Sequence, residues 1–451
     1  MRLTQAFRKR DTNAIQLGQH TIPLHKLFEH VMVSGNPGSG KSTFIRQIAR
    51  QAQAQGWPAI IMDIEGESTM EFYDESRGDV ILNPLDSRCP FWGPLLEFRE
   101  QTMPMDRAAM AASLIRDLPH TSTERYFFES GRTVIESLLE VVTDEDPQAI
   151  SALLALPRAQ VHKALRGTRA YPLIDPDMKE TGQTILSTAV NAVKPFQHLP
   201  RANQSSRRWS AREWVEHRKG WVFLPSRADS EAAVQGQQGV WLDSLVRWLL
   251  AAEIASAKVL VLCDELPAMG NQPNITSCLA RGRKREIACV IGFQSISQLR
   301  LIYGHDGATV LTSCPTTQIF LRTPDPETSK WASDSIGSHE VERLAISQLT
   351  GLSNYREGLT LNPHRAVEPL VIPGEIQGLE PFEGYICCGG ARTTINIPRI
   401  HLVKHNPDFI PRISATTPEA IAQAAAEGPT DAEIVAQVTA RTTAPSVQPR
   451  E

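Results

Sequence analysis

The 451-residue chain has no excess of basic charge: 46 Lys and Arg stand against 50 Asp and Glu, a formal net charge of −4. No global positive field draws it to nucleic acid, so any nucleic-acid surface must be a local patch or a pore lining. Long apolar runs are missing too. The most apolar stretch, Trp248 to Ala257, is short and carries Glu253, well under the roughly 18 residues of a membrane span, so the chain is not expected to cross a membrane alone. The N-terminus MRLTQAFRKRDTN has basic residues but no apolar core, which excludes a secretory signal. The seven cysteines (Cys89, Cys263, Cys278, Cys289, Cys314, Cys387, Cys388) are odd in number and irregular in spacing. They form no CxxC pair and mostly sit in apolar runs. A disulfide framework or zinc site is therefore not expected, and a reduced, cytoplasmic protein using them as small core residues is. No internal repeat is present.

What is there is an ordinary globular composition, 41% apolar and 21% charged. Val31 to Ser34 is a short apolar run that ends in a Gly-rich loop, and a helical pattern follows from about Ser42 to Gln55. Ala59 to Asp63 and Asp79 to Leu82 read as further buried strands. Strand, loop, helix, strand at this spacing predicts a βαβ unit with a parallel sheet. After Pro94 the pattern becomes helical. Strand-like runs return at Gly220 to Leu224, Lys258 to Cys263, Ile287 to Gly292 and Thr317 to Leu321. The expected architecture is α/β, with residues 1–93 and 201–411 as two parts of one nucleotide-binding domain. Residues 94–200 form an all-α insertion between them. Residues 412–451, rich in Ala, Thr and Pro, read as a disordered tail with brief helices at 418–426 and 430–439.

Gly35-Asn36-Pro37-Gly38-Ser39-Gly40-Lys41-Ser42 fits GxxxxGK[ST] at every fixed position. Glycines let the backbone wrap round phosphates, and its N–H groups supply donors together with the start of the following helix, where Thr43 lies. Lys41 is expected to reach the β- and γ-phosphates of ATP, and the Ser42 hydroxyl to bind Mg²⁺. Hydrolysis needs in addition a metal-ordering carboxylate and a group that prepares water. KVLVLCDE supplies both: Asp264 at the end of a buried strand would hold Mg²⁺ through water, and Glu265 would act as general base. Gln294, near the end of the next strand, is a candidate sensor of the γ-phosphate. Asp63 either faces the nucleotide or caps the following turn.

Arg322, which ends the strand TQIFL, is a candidate arginine finger completing a neighbouring subunit's site, although Asp325 or Glu327 could instead pair with it. Arg281, Arg283, Lys284 and Arg285 could contact a phosphate backbone, line a subunit interface or form a solvated face. Tyr126, Phe127 and Phe128 suit core packing of the helical region better than base stacking.

GNPGSGKS, DIEGE, GDVILNPLDSRCPFW, GWVFLPSRADSEAAVQGQQGVWLDSLVRWLL and KVLVLCDELPAMGNQPNITSCLARGRKREIACVIGFQSISQLRLIYG carry a resemblance beyond the loop itself. With IFLRTPDPETSKWASDSIGSHEVER and EPLVIPGEIQGLEPFEGYI, the chain from about Val31 to Leu402 resembles the cytoplasmic ATPase part of type IV secretion coupling proteins of the TraD and TrwB kind. The resemblance implies a RecA-like motor domain with an all-α domain inserted into it. It implies a homo-hexamer with ATP at subunit interfaces and DNA in a central channel, pumping a relaxase-bound strand towards a secretion channel. By matching position, Lys41 and Ser42 bind nucleotide, Asp264 and Glu265 run hydrolysis, Gln294 senses it and Arg322 is the trans finger. The implied partners are DNA, the relaxosome, and inner-membrane secretion components or a separate membrane anchor. The family's N-terminal transmembrane helices have no counterpart before Val31, which predicts a cytoplasmic form recruited by a membrane subunit. A soluble FtsK- or HerA-like DNA-processing ring, or an ATP-switched receptor for secreted proteins, are the alternatives.

Overall fold

The computed structural model describes residues 14–116, 121–253, 258–348 and 359–412. The tail expected at 412–451, with its brief helices, lies outside them apart from its first residue. In chain order the strands are β1 (Ala14–Leu17), β2 (His20–Pro23), β3 (Val31–Ser34), β4 (Ala59–Ile64), β5 (Val80–Ile81), β6 (Trp221–Ser226), β7 (Val259–Cys263), β8 (Ile287–Phe293), β9 (Thr317–Leu321), β10 (Ser338–Gln348), β11 (Leu359–Pro369), β12 (Glu383–Cys388) and β13 (Ala391–Asn396). By their contacts the residues fall into two units. The first takes in 14–57, 258–271 and 279–401; the second takes in 58–253, 272–278 and 402–412.

In the first unit the sheet order is β13-β12-β9-β3-β8-β7. β9, β3, β8 and β7 are parallel, with Val31 opposite both Val290 and Thr317. Every residue of β3, β7 and β8 is buried. This is why these strands read as unbroken apolar runs: a parallel strand covered on both faces has no solvent side to alternate with. β12 and β13 join antiparallel at the edge through a Gly389-Gly390 turn, whose φ values of 59° and 85° suit a two-residue hairpin loop. β1 pairs with β2, and β10 with β11, as separate antiparallel ribbons. The helix Lys41–Ala54 follows β3 and buries Phe44, Ile45, Ile48, Ala49 and Ala52 on one face. The parallel strands end together, and in open α/β sheets that carboxyl edge is where ligands bind.

The second unit holds β4, β6 and β5, all parallel. Between Pro94 and His198 the described residues carry helices and no strand. That segment is fastened by buried carboxylates. Glu97, fully buried, accepts hydrogen bonds from the indole N–H groups of Trp92 and Trp248 and the backbone N–H groups of Ala211 and Arg212. Asp106 accepts from the Arg247 guanidinium at 3.0 Å and from the Arg99 N–H at 3.1 Å. A buried carboxylate is tolerated only with such a complete set of donors.

Two sequence expectations resolve here. Asp63 is a cap: its carboxylate accepts from Ser68 N–H, Thr69 N–H and the Thr69 hydroxyl, ordering the helix Glu67–Phe72. Tyr126 is 44% exposed and Phe127 and Phe128 are half-buried, so these rings do not form a core as expected; Tyr126 instead packs edge-on to Phe127. Of the seven cysteines, all free, Cys89, Cys263, Cys278 and Cys289 are buried and the other three half-buried.

Candidate active site at the carboxyl edge of the sheet

The phosphate loop leaves β3 through Gly35, whose N–H donates to Phe293 O, and Asn36, whose N–H donates to Arg322 O at 2.9 Å. The loop is thus pinned between the ends of β8 and β9. Gly35 has no room for a side chain: a Cβ there would lie 2.6 Å from Ser39 Oγ and 2.8 Å from Leu321 Cβ. Gly38 and Gly40 have φ values of 75° and 112°, a region that L side chains avoid. Gly40 is the N-cap of the helix Lys41–Ala54 and provides no side-chain cap. The first-turn N–H groups of that helix are thereby left for an anion. Pro37 and Gly38 are exposed, whereas Ser39 and Lys41 are buried.

The Lys41 ammonium donates to Gly35 O at 2.7 Å. Burial lowers its pKa, and Asp264 and Glu265 oppose that shift. The Ser42 hydroxyl donates to the Asp264 carboxylate, joining residues 222 positions apart. Thr43 follows, half-buried, in the first turn. Asp264 approaches β8 closely: a Cβ on Gly292 would lie 2.2 Å from Asp264 O, so only glycine fits at that point of the strand. Burial raises the Glu265 pKa to about 6, while Lys41 and hydrogen bonds from the Gln294 side chain and backbone hold it down. Sequence-nominated base and sensor are therefore in direct contact.

The donor set suits a magnesium nucleotide. A hydroxyl and a carboxylate meet beside an ammonium, and all are hard groups of the kind Mg²⁺ and phosphate take. The buried Ser39 Oγ and Asn36 Oδ1 have no protein partner, as expected of polar atoms lining a polar ligand's site.

Arg322 is half-buried at the end of β9, tied through its carbonyl to the loop of its own chain. Neither nearby acid pairs with it: Asp325 caps the helix Pro326–Ile336, and Glu327 takes the Arg300 guanidinium and the Ser297 hydroxyl. Arg281, Arg283 and Lys284 are exposed around a 3-10 turn at Gly282–Arg285, with Arg285 half-buried. Arg283 reaches Glu29 at 3.0 Å. Two close neighbours escaped motif reading, Gly292 and Phe382. The first is hidden inside an apolar run, and the second, Phe382, touches the loop at Ser39 from a distant part of the sequence.

The profile of the family described as type IV secretion-system coupling protein DNA-binding domain matches residues 14–398. The coupling protein TraD of Escherichia coli (strain K12) is 28% identical over 411 residues, an alignment that takes in 88% of this chain. The chain spans 56% of that relative's length. Among solved structures, the unbound monoclinic form of the bacterial conjugative coupling protein TrwBdeltaN70 superposes with a TM-score of 0.76 at 22% identity, covering 90% of this chain and 92% of that one. The plasmid coupling protein TrwB in complex with ADP and Mg²⁺ gives 0.75 at 23% identity, over 89% and 92%. The fold is thus RecA-like α/β, with a mostly parallel sheet and a helical region. The chain belongs to the family of type IV secretion-system coupling proteins, matched through its DNA-binding domain.

Proposed function

We propose that this chain is the ATP-driven motor of a conjugative coupling protein, hydrolysing ATP to move relaxase-bound DNA towards a type IV secretion channel. The observation that carries the reading is the convergence of Lys41, Ser42, Asp264, Glu265 and Gln294 on one loop. Gly35 to Thr43 cradle the phosphates and Lys41 neutralises their charge. Ser42 and Asp264 would hold Mg²⁺, and the ion would supply charge neutralisation when bound. Glu265 accepts a proton from the attacking water as its oxygen bonds to the γ-phosphorus and the bond to the bridging oxygen breaks. Gln294 keeps the Glu265 carboxylate aimed and links it to β8. Arg322 is the candidate arginine for the developing charge. Its main-chain carbonyl is tied to Asn36, and the exposed Arg281, Arg283 and Lys284 suit a DNA backbone or a neighbouring subunit.

Family membership supports the rest of the reading. The working form is a homo-hexamer with DNA in its channel, residues 94–200 are the all-α insertion that meets the relaxosome, and inner-membrane secretion components or a membrane subunit receive the cytoplasmic motor. Among the described residues no helix is long and apolar enough to cross a membrane. ATP turnover measured with and without single- and double-stranded DNA, beside particle size with a non-hydrolysable nucleotide, tests this. DNA-stimulated turnover in a ring is expected; turnover indifferent to DNA, without strand movement, would overturn it.

A further inference from the structure

Gln294 hydrogen-bonds Glu265, yet it lies just past the end of β8, in the short turn that leads into the helix Ile296–Ser313. A side chain in a turn is aimed only as well as the turn is held. Here the holding comes from a second helix, Pro326–Ile336, which follows β9.

Ile296 opens its helix, so its N–H has no partner within that helix. The residue is buried, and a buried N–H must find an acceptor elsewhere. The Thr328 hydroxyl is that acceptor, at 3.1 Å, and it donates in turn to the Asp325 carboxylate. Asp325 also accepts the Thr328 N–H at 3.1 Å, and Thr328 is fully buried. Two outer contacts close the same joint: Glu327 accepts the Ser297 hydroxyl at 2.6 Å and takes the Arg300 guanidinium. On the inner side the Trp331 ring packs on Phe293, the residue before Gln294, at 5.7 Å, and on Phe320 of β9 at 5.5 Å. The bracing helix is itself tied down. The Ser333 hydroxyl donates to Val371 O at 2.6 Å, and the Ser329 hydroxyl accepts the Gln377 amide at 2.9 Å. A threonine that served only to cap its own helix would need the Asp325 bond alone, whereas the bond from Ile296 reaches a different element.

We infer that Thr328 is a positioning residue for hydrolysis: its hydroxyl pins the start of the helix Ile296–Ser313 and so holds the Gln294 side chain on Glu265, where the attacking water is prepared. Without that hydroxyl the buried Ile296 N–H loses its acceptor and the turn shifts, and displacements of about 1 Å in a catalytic group are costly to rate. This rests on the reading of Glu265 as base and Gln294 as the residue that aims it.

ATP turnover and calorimetric ATP binding, measured on the full chain and its variants, test it. Thr328→Val keeps the shape and removes the hydroxyl. It is expected to lower kcat about tenfold or more and leave ATP affinity within about twofold. Thr328→Ser, which keeps the hydroxyl, is expected to stay within about threefold of the parent. In a Gln294→Ala background Thr328→Val is expected to add less than about a twofold loss, because the side chain it positions is gone. Thr328→Ala carries the same comparison if Thr328→Val does not fold. An unchanged kcat without the hydroxyl, a loss that Thr328→Ser shares, or the same fold-loss with and without Gln294 would overturn the positioning role. A Gln294→Ala variant as fast as the parent would instead sink the reading of Gln294, and this inference with it.

Discussion

Glu265 shows how a single residue's surroundings set its chemistry. With its pKa raised to about 6 by burial, it is ionised at neutral pH yet basic enough to take a proton. Turnover should therefore fall as pH drops through about 6, with a slope of one proton, and a pH–rate profile flat from 7 to 5 would exclude Glu265 as base. Glu265→Gln should lower kcat by about 10²–10⁴ while ATP still binds. Lys41→Ala should lose binding itself, since its ammonium is the charge facing the phosphates. The same shift has a stability consequence. A carboxyl whose folded pKa lies above its ordinary value of 4.5 favours the folded state fully below that value, and the benefit is lost as pH rises through about 6. Glu265→Gln should accordingly melt higher than the parent at pH 8, and a lower melting temperature would show that the carboxylate is stabilising there.

At the scale of elements, the site depends on close approaches between strand ends. Gly292 lets β8 pass Asp264, so Gly292→Ala, whose Cβ would sit 2.2 Å from a backbone oxygen, must push the acidic pair out of line. A fall in kcat of at least about 10²-fold in a folded variant is expected, given how steeply rate depends on displacements of about 1 Å. Assay beside circular dichroism checks this. At the other end of the loop strand, His30 turns the chain into β3 with φ of 68°, and its Nδ1 accepts the Cys289 N–H at 3.2 Å. Its pKa is lowered from 6.5 to about 4, chiefly by burial and also by Arg283, whereas a backbone hydrogen bond at Leu279 and the charge of Glu29 oppose the shift. A histidine kept neutral in this way contributes stability above its unfolded value, which is lost as pH falls through about 4. The window from pH 6.5 to 4 should cost up to roughly 3 kcal/mol. His30→Asn, which tolerates the left-handed backbone and keeps an acceptor, should flatten that part of the loss in denaturant titrations at pH 7 and 4.5. Equal pH dependence in both proteins would refute it. Much of this layer was legible in sequence: the strands around the phosphate loop and acidic pair are apolar runs of the right length, and Gly35, Lys41, Ser42, Asp264, Glu265 and Gln294 do come together. The β12–β13 hairpin carries a readable Gly-Gly turn that a motif-led search passes over. Phe382 and Gly292 were not legible, because their importance lies in contacts made only after distant strands pair. Arg322's surroundings were not legible either, since the capping of a helix by Asp325 is decided by geometry rather than composition.

For the molecule as a whole, a net charge of −4 means that any DNA surface must be a local cluster set against a mildly repulsive background. Arg281 and Lys284 are the exposed members of the 3-10 turn cluster for which no ion pair is found among the described residues, whereas Arg283 is engaged with Glu29. If they contact phosphates, each contributes about 0.7–0.9 to the slope of log affinity against log salt concentration. The double substitution Arg281→Ala, Lys284→Ala should then reduce that slope by about 1.4–1.8, weaken single strands of different sequence equally, and lower DNA-stimulated turnover at fixed DNA concentration. Fluorescence anisotropy over a salt series measures the first two effects. An unchanged slope would place the cluster away from DNA and leave it as a contact between neighbouring subunits. In that case the substitution should reduce the ring population in the presence of nucleotide, which particle-size measurement on the same variant reads directly.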